Sequence, residues 1–145
     1  MNELKIGMIG CGGIAGAHAT RLSTLKEVKL TAFSDIDEKR AKDFANKYGG
    51  NVYADWQKML EKEKLDIAYI CLPPFAHTEE VMVAAEKGFH VFIEKPIALN
   101  MDLANRMVEA VEKHGVKSQV GYQIRFGLAA EKAHELIKEG EAGDV

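Results

Sequence analysis

A glycine-rich turn near the N-terminus is the first feature of the sequence that could bind a ligand. Residues 10–16 read Gly-Cys-Gly-Gly-Ile-Ala-Gly, follow an apolar run and open a helical pattern. They fit G-x-G-x-x-A: Gly10 allows a tight turn, Gly12 lets the backbone approach a phosphate, and Ala15 lets the helix pack close to the strand. The helix N-terminus would add N–H donors. The pattern predicts a pyrophosphate-binding turn, and it leaves open a tight turn without a ligand.

An acidic residue at the end of the second apolar run indicates what kind of nucleotide would bind. Asp35 follows Gly10 at close to the offset of about 20 residues expected for a carboxylate that bonds the adenosine ribose hydroxyls. Such a carboxylate repels a ribose 2′-phosphate, and the next residue is Ile36 rather than an arginine. Lys39 and Arg40 fall within the following helix and are expected to face solvent. The predicted cofactor is therefore NAD, with NADP disfavoured.

The elements that must position these residues alternate along the whole chain, without repeats or Pro/Gly-rich linkers. Strands are predicted at 4–9, 28–34, 52–53, 66–72, 90–93 and 117–122, and helices at 13–26, 37–48, 55–62, 78–87, 101–114 and 128–139. Asp55 is a predicted N-cap, and Gly88 and Gly115 lie where helix C-caps belong. Because several strands are apolar on successive residues, the sheet should be parallel and covered on both faces. The predicted fold class is α/β: a Rossmann-type doubly wound parallel sheet of about six strands.

Length and composition favour one globular domain. The chain has 145 residues, of which 47% are apolar and 28% charged, and its formal net charge is −3. It lacks the basic patches of nucleic-acid-binding proteins, a run long enough to span a membrane and a signal-peptide pattern. We therefore expect a soluble cytoplasmic protein without nucleic-acid or membrane partners.

Cysteines and histidines give no metal-binding pattern. Cys11 and Cys71 have no CxxC or CxxH neighbours, so they are interpreted as two buried thiols, with a redox pair as the alternative. We therefore predict that none of these residues binds a metal ion. Four histidines are assigned to packing or to helix surfaces rather than to catalysis: His18, His90, His114 and His134.

Four segments in order resemble the glucose–fructose oxidoreductase/inositol dehydrogenase (Gfo/Idh/MocA) family over essentially the whole chain. They are GCGGIA at 10–15, CLPPFAH at 71–77, EKP at 94–96 and GYQIRF at 121–126. The resemblance implies an N-terminal Rossmann domain followed by a larger α/β domain with an open antiparallel sheet. It also implies hydride transfer between a nicotinamide cofactor and a sugar, cyclitol or related hydroxyl or carbonyl substrate.

The resemblance implies that Lys95 is catalytic, beside the nicotinamide and the reacting hydroxyl. An ammonium there can bond the substrate oxygen, stabilise developing negative charge and join a proton relay. Glu94 would hold a cofactor ribose hydroxyl or cap a local turn, and Pro96 would stiffen the turn that aims Lys95. Tyr122, Gln123 and Arg125 would begin to line the substrate pocket, although Arg125 could equally pack against the second domain.

The residues expected to bind the cofactor share the carboxyl edge of the predicted sheet. They are Gly10, Gly12, Gly13, Ile14, Ala15, Asp35, Leu72, Pro73, Pro74, His77, Glu94 and Lys95. Many relatives have Thr or Asn where this chain has Leu72, so no side-chain hydrogen bond is expected there. The two prolines could instead serve only to end the strand, and His77 could cap the following helix.

The family's general acid/base is usually a histidine of the second domain, so the chain should hold at most half of an active site. We divide it into a dinucleotide-binding domain at 1–125 and, at 126–145, a helix and the start of that second domain. We expect a truncated N-terminal part of a longer enzyme, not fully active alone, with a stand-alone cofactor-binding unit as the alternative. The surface that would meet the second domain should be exposed and apolar, which would allow self-association. The alternative functions are a non-catalytic NAD sensor and an assembly domain that binds no cofactor.

Overall fold

A sheet of six parallel strands forms the centre of the computed structural model, which describes residues 3–144. The strands are β1 (Leu4–Ile9), β2 (Val28–Ser34), β3 (Asn51–Tyr53), β4 (Ile67–Ile70), β5 (His90–Ile93) and β6 (Ser118–Val120). Their order in the sheet is β3-β2-β1-β4-β5-β6, and every neighbouring pair is parallel. This confirms the predicted Rossmann fold class.

Helices pack on both faces of the sheet, leaving β4, β5 and β6 open on one of them. They are α1 (Gly13–Leu22), α2 (Glu38–Tyr48), α3 (Trp56–Lys62), α4 (Glu80–Glu86), α5 (Met101–His114) and α6 (Leu128–Lys138). On one face, Ala15 and Ala19 of α1 join Ile6 and Met8 of β1 in a buried cluster. On the other, α3, α4 and α5 bury apolar side chains against β4 and β5. This two-sided burial explains why the strands are apolar on successive residues.

The first predicted helix is four residues too long, because hydroxyl side chains end it early. It stops at Leu22, where the hydroxyl groups of Ser23 and Thr24 donate to the carbonyls of Thr20 and Arg21 at 2.9 and 2.7 Å. Such local bonds compete with the next helical turn.

Other element ends differ from the predictions by a few residues. The predicted strands 66–72 and 117–122 shorten to Ile67–Ile70 and Ser118–Val120, and the predicted helix 78–87 shortens to Glu80–Glu86. The cap of α3 is confirmed, since Asp55 accepts from the Gln57 N–H at 2.8 Å. Gly115 is the left-handed C-cap of α5 with φ 64°.

The strand order places the reversal point of the sheet between β1 and β4. From β1 the chain runs outward through β2 and β3, then returns to β4 and runs outward the other way. Open parallel sheets bind ligands beyond the carboxyl ends of the strands at such a point. Asp35, Gly10, Leu72 and Glu94 follow the ends of β2, β1, β4 and β5, which are consecutive neighbours in the sheet. Three strand spacings, about 14 Å, therefore separate the Asp35 end from the Lys95 end.

The last helix stands apart from this core. No residue of α6 is buried, and the helix packs against a 3₁₀ turn at Gln123–Phe126. The proposed boundary at residue 125 falls in that turn, and the division into domains stays a prediction; residues 1, 2 and 145 lie outside the described residues. Within residues 3–144, no helix has the length and apolar character needed to cross a bilayer.

Candidate functional site

The two glycines of the β1–α1 turn are required for different reasons. Gly10 has φ 87°, and a Cβ there would lie 2.6 Å from the carbonyl oxygen of Cys71, so protein contacts alone demand glycine. Gly12 has the ordinary φ of −84°, and a Cβ on Gly12 or Gly13 would meet no atom of the described residues within 4 Å. Nothing in the protein interior therefore requires glycine at these two positions. They leave a cradle at the start of α1 that a side chain would fill.

The N-terminus of α1 offers backbone donors to this cradle. Gly12 is the N-cap without a side-chain cap, and the first turn holds no acidic residue. Ile14 is partly exposed and Ala15 is fully buried against the sheet. The first N–H groups of a helix have no partner within the helix and carry partial positive charge. The arrangement fits an anionic group such as a pyrophosphate.

Asp35 is locked against the turn by two backbone donors. Its Oδ2 accepts from the Cys11 N–H at 2.8 Å and its Oδ1 from the Asp37 N–H at 2.8 Å. The carboxylate therefore has a fixed orientation beside the turn. Ile36 next to it is 98% exposed.

A cavity of about 390 Å³ lies between the turn and the loop that follows β4. It brings together residues from the carboxyl ends of three strands and the start of α3, among them Gly10, Gly12, Asp35, Trp56, Leu72 and Pro73. Arg40 also lines it, which differs from the expectation that this residue only faces solvent, although its side chain is 60% exposed and pairs with Asp37 at 3.4 Å. Arg40 lies in the first turn of α2, and the sequence pattern did not predict that it would line this cavity.

The loop after β4 is held from behind by a buried pair. Pro74 starts a 3₁₀ turn, and His77 at its end is buried, with Nδ1 bonded to Oε1 of Glu80. Glu80 Oε2 accepts from the Thr78 N–H at 2.8 Å. Burial raises the pKa of the Glu80 carboxyl, but the hydrogen bonds from His77 and Thr78 outweigh it and the pKa lies below its ordinary value. The imidazole of His77 thus holds the side chain of Glu80, and α4 has no side-chain cap.

Lys95 and Glu94 follow β5 and differ in exposure. Glu94 is 4% exposed, and its Oε2 accepts from the Lys95 N–H at 3.0 Å. Its Oε1 lies 2.7 Å from Nε2 of His18 on α1, a pairing that no motif or spacing indicates. Lys95 is exposed, its peptide bond to Pro96 is cis, and none of the ion pairs found within residues 3–144 includes it. Its ammonium group can therefore reach a ligand at the carboxyl edge.

The residues predicted to meet the substrate lie at the far end of this edge. Tyr122, Gln123 and Arg125 follow β6 and are exposed. Cys11 and Cys71 are both buried and free, and burial, together with the charges of Asp35 and Glu94 respectively, raises the pKa of each thiol to about 12. No cluster of three or more His, Cys, Asp or Glu side chains in the described part of the chain could hold a metal ion.

Comparison with known proteins identifies the family. Residues 4–122 match the Gfo/Idh/MocA oxidoreductase family, NAD-binding Rossmann fold. Glucose-6-phosphate 3-dehydrogenase of Bacillus subtilis is 33% identical over 141 residues, which are 97% of this chain and 40% of that enzyme. The chain thus spans less than half the length of the curated relatives that it matches.

Two solved structures share its architecture. Scyllo-inositol dehydrogenase from Lactobacillus casei, with bound NAD(H) and scyllo-inositol, superimposes with a TM-score of 0.88 at 28% identity over 99% of this chain and 43% of that one. A 3-ketoreductase from Actinomadura kijaniata, in complex with TDP-benzene and NADP, gives a TM-score of 0.88 at 25% identity over 99% and 46%. The chain belongs to the Gfo/Idh/MocA oxidoreductase family and is its NAD-binding Rossmann domain.

Proposed function

We propose that this domain binds NAD and presents Lys95 for hydride transfer to or from a sugar or cyclitol. The observation that carries the proposal is the order of groups along the carboxyl edge: Asp35, the glycine turn, the loop after β4 and Lys95 follow four neighbouring strands. This order matches an extended dinucleotide, with its ribose at Asp35, its pyrophosphate at the turn and its nicotinamide toward Lys95. When bound, the nicotinamide supplies the hydride acceptor or donor.

The preference for NAD rests on Asp35. Its carboxylate already has two backbone donors and a fixed position, so a ribose 2′-hydroxyl can donate to it, whereas a 2′-phosphate would be repelled. Arg40 lines the same cavity and could offset that repulsion, but its guanidinium group pairs with Asp37.

In the proposed mechanism Lys95 acts at the substrate oxygen. The ammonium group donates a hydrogen bond to the hydroxyl or carbonyl oxygen and stabilises the negative charge that develops there as hydride moves. Residues 126–145 would lead into a second domain that supplies the remaining substrate contacts and the acid/base group. Tyr122, Gln123 and Arg125 would line the substrate pocket on this side.

Titration with NADH and NADPH tests the cofactor proposal. Trp56, the only tryptophan, lines the cavity, so energy transfer from its indole to bound dihydronicotinamide gives a direct signal. We expect saturable binding of NADH that is clearly tighter than that of NADPH. Asp35→Ala should reduce this preference, whereas Asp43→Ala on the exposed side of α2 should not. Equal or absent binding of both nucleotides would contradict the proposal.

Substitution of Lys95 separates a dehydrogenase from a non-catalytic sensor. In the complete polypeptide that carries this domain, Lys95→Ala should abolish oxidation of cyclitols and sugars such as myo-inositol and glucose 6-phosphate. The affinity for NADH should remain. An unchanged turnover in Lys95→Ala would show that the lysine has no catalytic role.

A further inference from the structure

His18 forms a buried hydrogen-bonded contact with the segment that carries Lys95. It lies in the second turn of α1, is 8% exposed, and its Nε2 is 2.7 Å from Oε1 of Glu94. A carboxylate can only accept, so Nε2 carries the proton in this bond. Nδ1 lies 3.4 Å from the Tyr69 hydroxyl, which can donate to it in the neutral imidazole. The imidazole therefore bridges α1 and the end of β5.

The bond to His18 fixes the carboxylate of Glu94 in one place. Its second oxygen accepts from the Lys95 N–H at 3.0 Å, so each oxygen has its own donor. Gly121 leaves the space for it, because a Cβ there would come within 2.9 Å of Oε1. Glu94 also continues the sheet, donating its N–H to the Ile70 carbonyl at 2.9 Å. The Glu94 side chain thus bonds the backbone of Lys95, and His18 on α1 in turn fixes the Glu94 side chain.

Packing alone does not account for a histidine at this position. The ring contacts Phe92 edge-on and Tyr69 at an angle, with centroids 5.1 and 5.2 Å away, and an apolar side chain would fill that space equally well. An apolar side chain would leave the buried Glu94 carboxylate without the one side-chain donor that it has among residues 3–144. Buried charges without partners are strongly unfavourable. The position therefore needs the hydrogen-bond donor of the imidazole as well as its volume.

We propose that His18 is a positioning residue that acts through Glu94 on Lys95. The inference rests on the proposed function, because it matters only if Lys95 works beside the nicotinamide. Since α1 begins in the glycine turn, the same helix that meets the pyrophosphate also fixes the backbone of the lysine. One rigid element would thereby set the distance between the pyrophosphate turn and Lys95.

Two substitutions of His18 by amide side chains test whether its Nε2 donor positions Glu94. Both variants carry the same amide group and differ only in how far it reaches. In His18→Gln the amide nitrogen reaches the position of Nε2, whereas in His18→Asn it reaches only that of Nδ1. We expect the Asn variant to lose the bond to Glu94 and the Gln variant to keep it. His18→Leu, which keeps packing but has no donor, should behave like Asn. His134→Leu on the exposed helix α6 is the control, and circular dichroism checks that each variant folds.

The readouts are NADH affinity and nuclear magnetic resonance of Lys95 in the chain bound to NADH. In the Asn variant, amide exchange at Lys95 should rise by roughly tenfold, the effect of losing one hydrogen bond to a charged group. The nuclear Overhauser effect between the Lys95 side chain and the nicotinamide C4 protons should disappear. The Kd for NADH should stay within about twofold, because most of the cofactor contacts lie elsewhere. The Gln variant should match the wild type in all three.

The outcomes separate the two proposals. If the wild-type chain binds NADH with Lys95 beside the nicotinamide, and the Asn and Leu variants do the same, the positioning role is wrong while the proposed function stands. If the wild-type chain does not bind NADH, the proposed function fails and this inference fails with it. Loss in both Asn and Gln variants would show that packing of the ring, not its Nε2 donor, is what matters.

Discussion

At the scale of single residues, two buried histidine–glutamate pairs support the candidate site from behind. Glu80 and Glu94 are 0% and 4% exposed, and their partners are His77 and His18. One pair holds the loop after β4, and the other holds the segment after β5. Each carboxylate also accepts from a backbone N–H of the loop that it supports. Both oxygens of each carboxylate are hydrogen-bonded, as buried polar groups require, whereas Nε2 of His77 has no partner among the described residues. The two carboxylates thereby hold the loops that border the ligand crevice.

The hydrogen-bonded Glu80 carboxylate should make the free energy of unfolding depend on pH in the acid range. Because its pKa lies below the ordinary 4.5 in the folded state, the unfolded chain binds a proton more readily, and stability falls as the pH drops below that value. Glu80→Gln should lower the free energy of unfolding at neutral pH by about 1–3 kcal/mol. It should also flatten the loss of stability between about pH 5 and pH 3. Urea unfolding across that range measures both effects.

Glu86→Gln, on the exposed side of the same helix, is the matched control and should change neither quantity. If Glu80→Gln unfolded with the wild-type dependence on pH, the carboxylate would not be bonded as described.

The two cysteines should be unreactive in the folded chain. Burial raises the pKa of both thiols from 9.0 to about 12, so at pH 8 the thiolate fraction falls by on the order of 100-fold or more. Reaction with a disulfide reagent should be correspondingly slow in buffer and fast in guanidinium chloride. The Cys11→Ser and Cys71→Ser variants show which thiol gives which kinetic phase of the reaction. A fast phase in buffer for either thiol would mean that the carboxyl edge opens readily.

At the scale of elements, the β1–α1 turn separates what folding requires from what a ligand requires. Gly10 is needed by the backbone and by its contact with Cys71, whereas Gly12 has an ordinary conformation and an open environment. The G-x-G-x-x-A pattern has glycine at both positions and does not say why. The two reasons become distinct only in the folded structure.

Substitutions at the two glycines should therefore have opposite effects on folding and binding. Gly12→Val places a side chain in the open cradle, so NADH binding should fall by at least about 100-fold with little loss of stability. Gly10→Ala should destabilise the chain by about 1–3 kcal/mol, because the backbone conformation is strained and the contact with Cys71 is too close. Thermal unfolding and the Trp56 titration measure the two effects. Retention of NADH binding by Gly12→Val would favour a turn that meets no phosphate.

The elements were predictable from the sequence to the extent that periodicity controls them. Runs such as 4–9 and 90–93 alternate with amphipathic stretches, and both strands have the predicted bounds. Element ends depend on side chains outside the pattern, as the hydroxyls of Ser23 and Thr24 show.

The site was predictable where it follows a local motif and not where it joins distant residues. The glycine turn and Asp35 lie where the local pattern placed them, around one cavity. The pairing of His18 with Glu94 joins residues far apart in sequence, and the approach of Arg40 to the cavity depends on the rotation of α2. Neither has a spacing that could have indicated it.

At the scale of the whole molecule, one face of the sheet lacks a cover over β4, β5 and β6. The helices α1 and α2 cover that face over β1 and β2, and the rings of Tyr69 and Phe92 stack at 4.1 Å beside them. A groove of about 770 Å³ runs over these strands. Beside it, Ile124, Phe126 and Leu128 are 82, 66 and 85% exposed. Phe126 lines the groove itself, and Ile124 and Leu128 lie two residues before and after it in the chain.

We expect this surface to make the chain self-associate. Exposed apolar area of this kind is unfavourable in water and is removed when two copies meet. The weight-average mass by light scattering should therefore rise with concentration above that of the 16.0 kDa monomer. Replacing Ile124, Phe126 and Leu128 together with serine should restore a constant monomer mass, because these positions supply most of the exposed apolar area beside the groove. Ile36→Ser is the matched control, since Ile36 is 98% exposed but lies at the other end of the sheet edge. A monomer mass at all concentrations for the unmodified chain would show that the groove and the exposed turn do not meet a second copy.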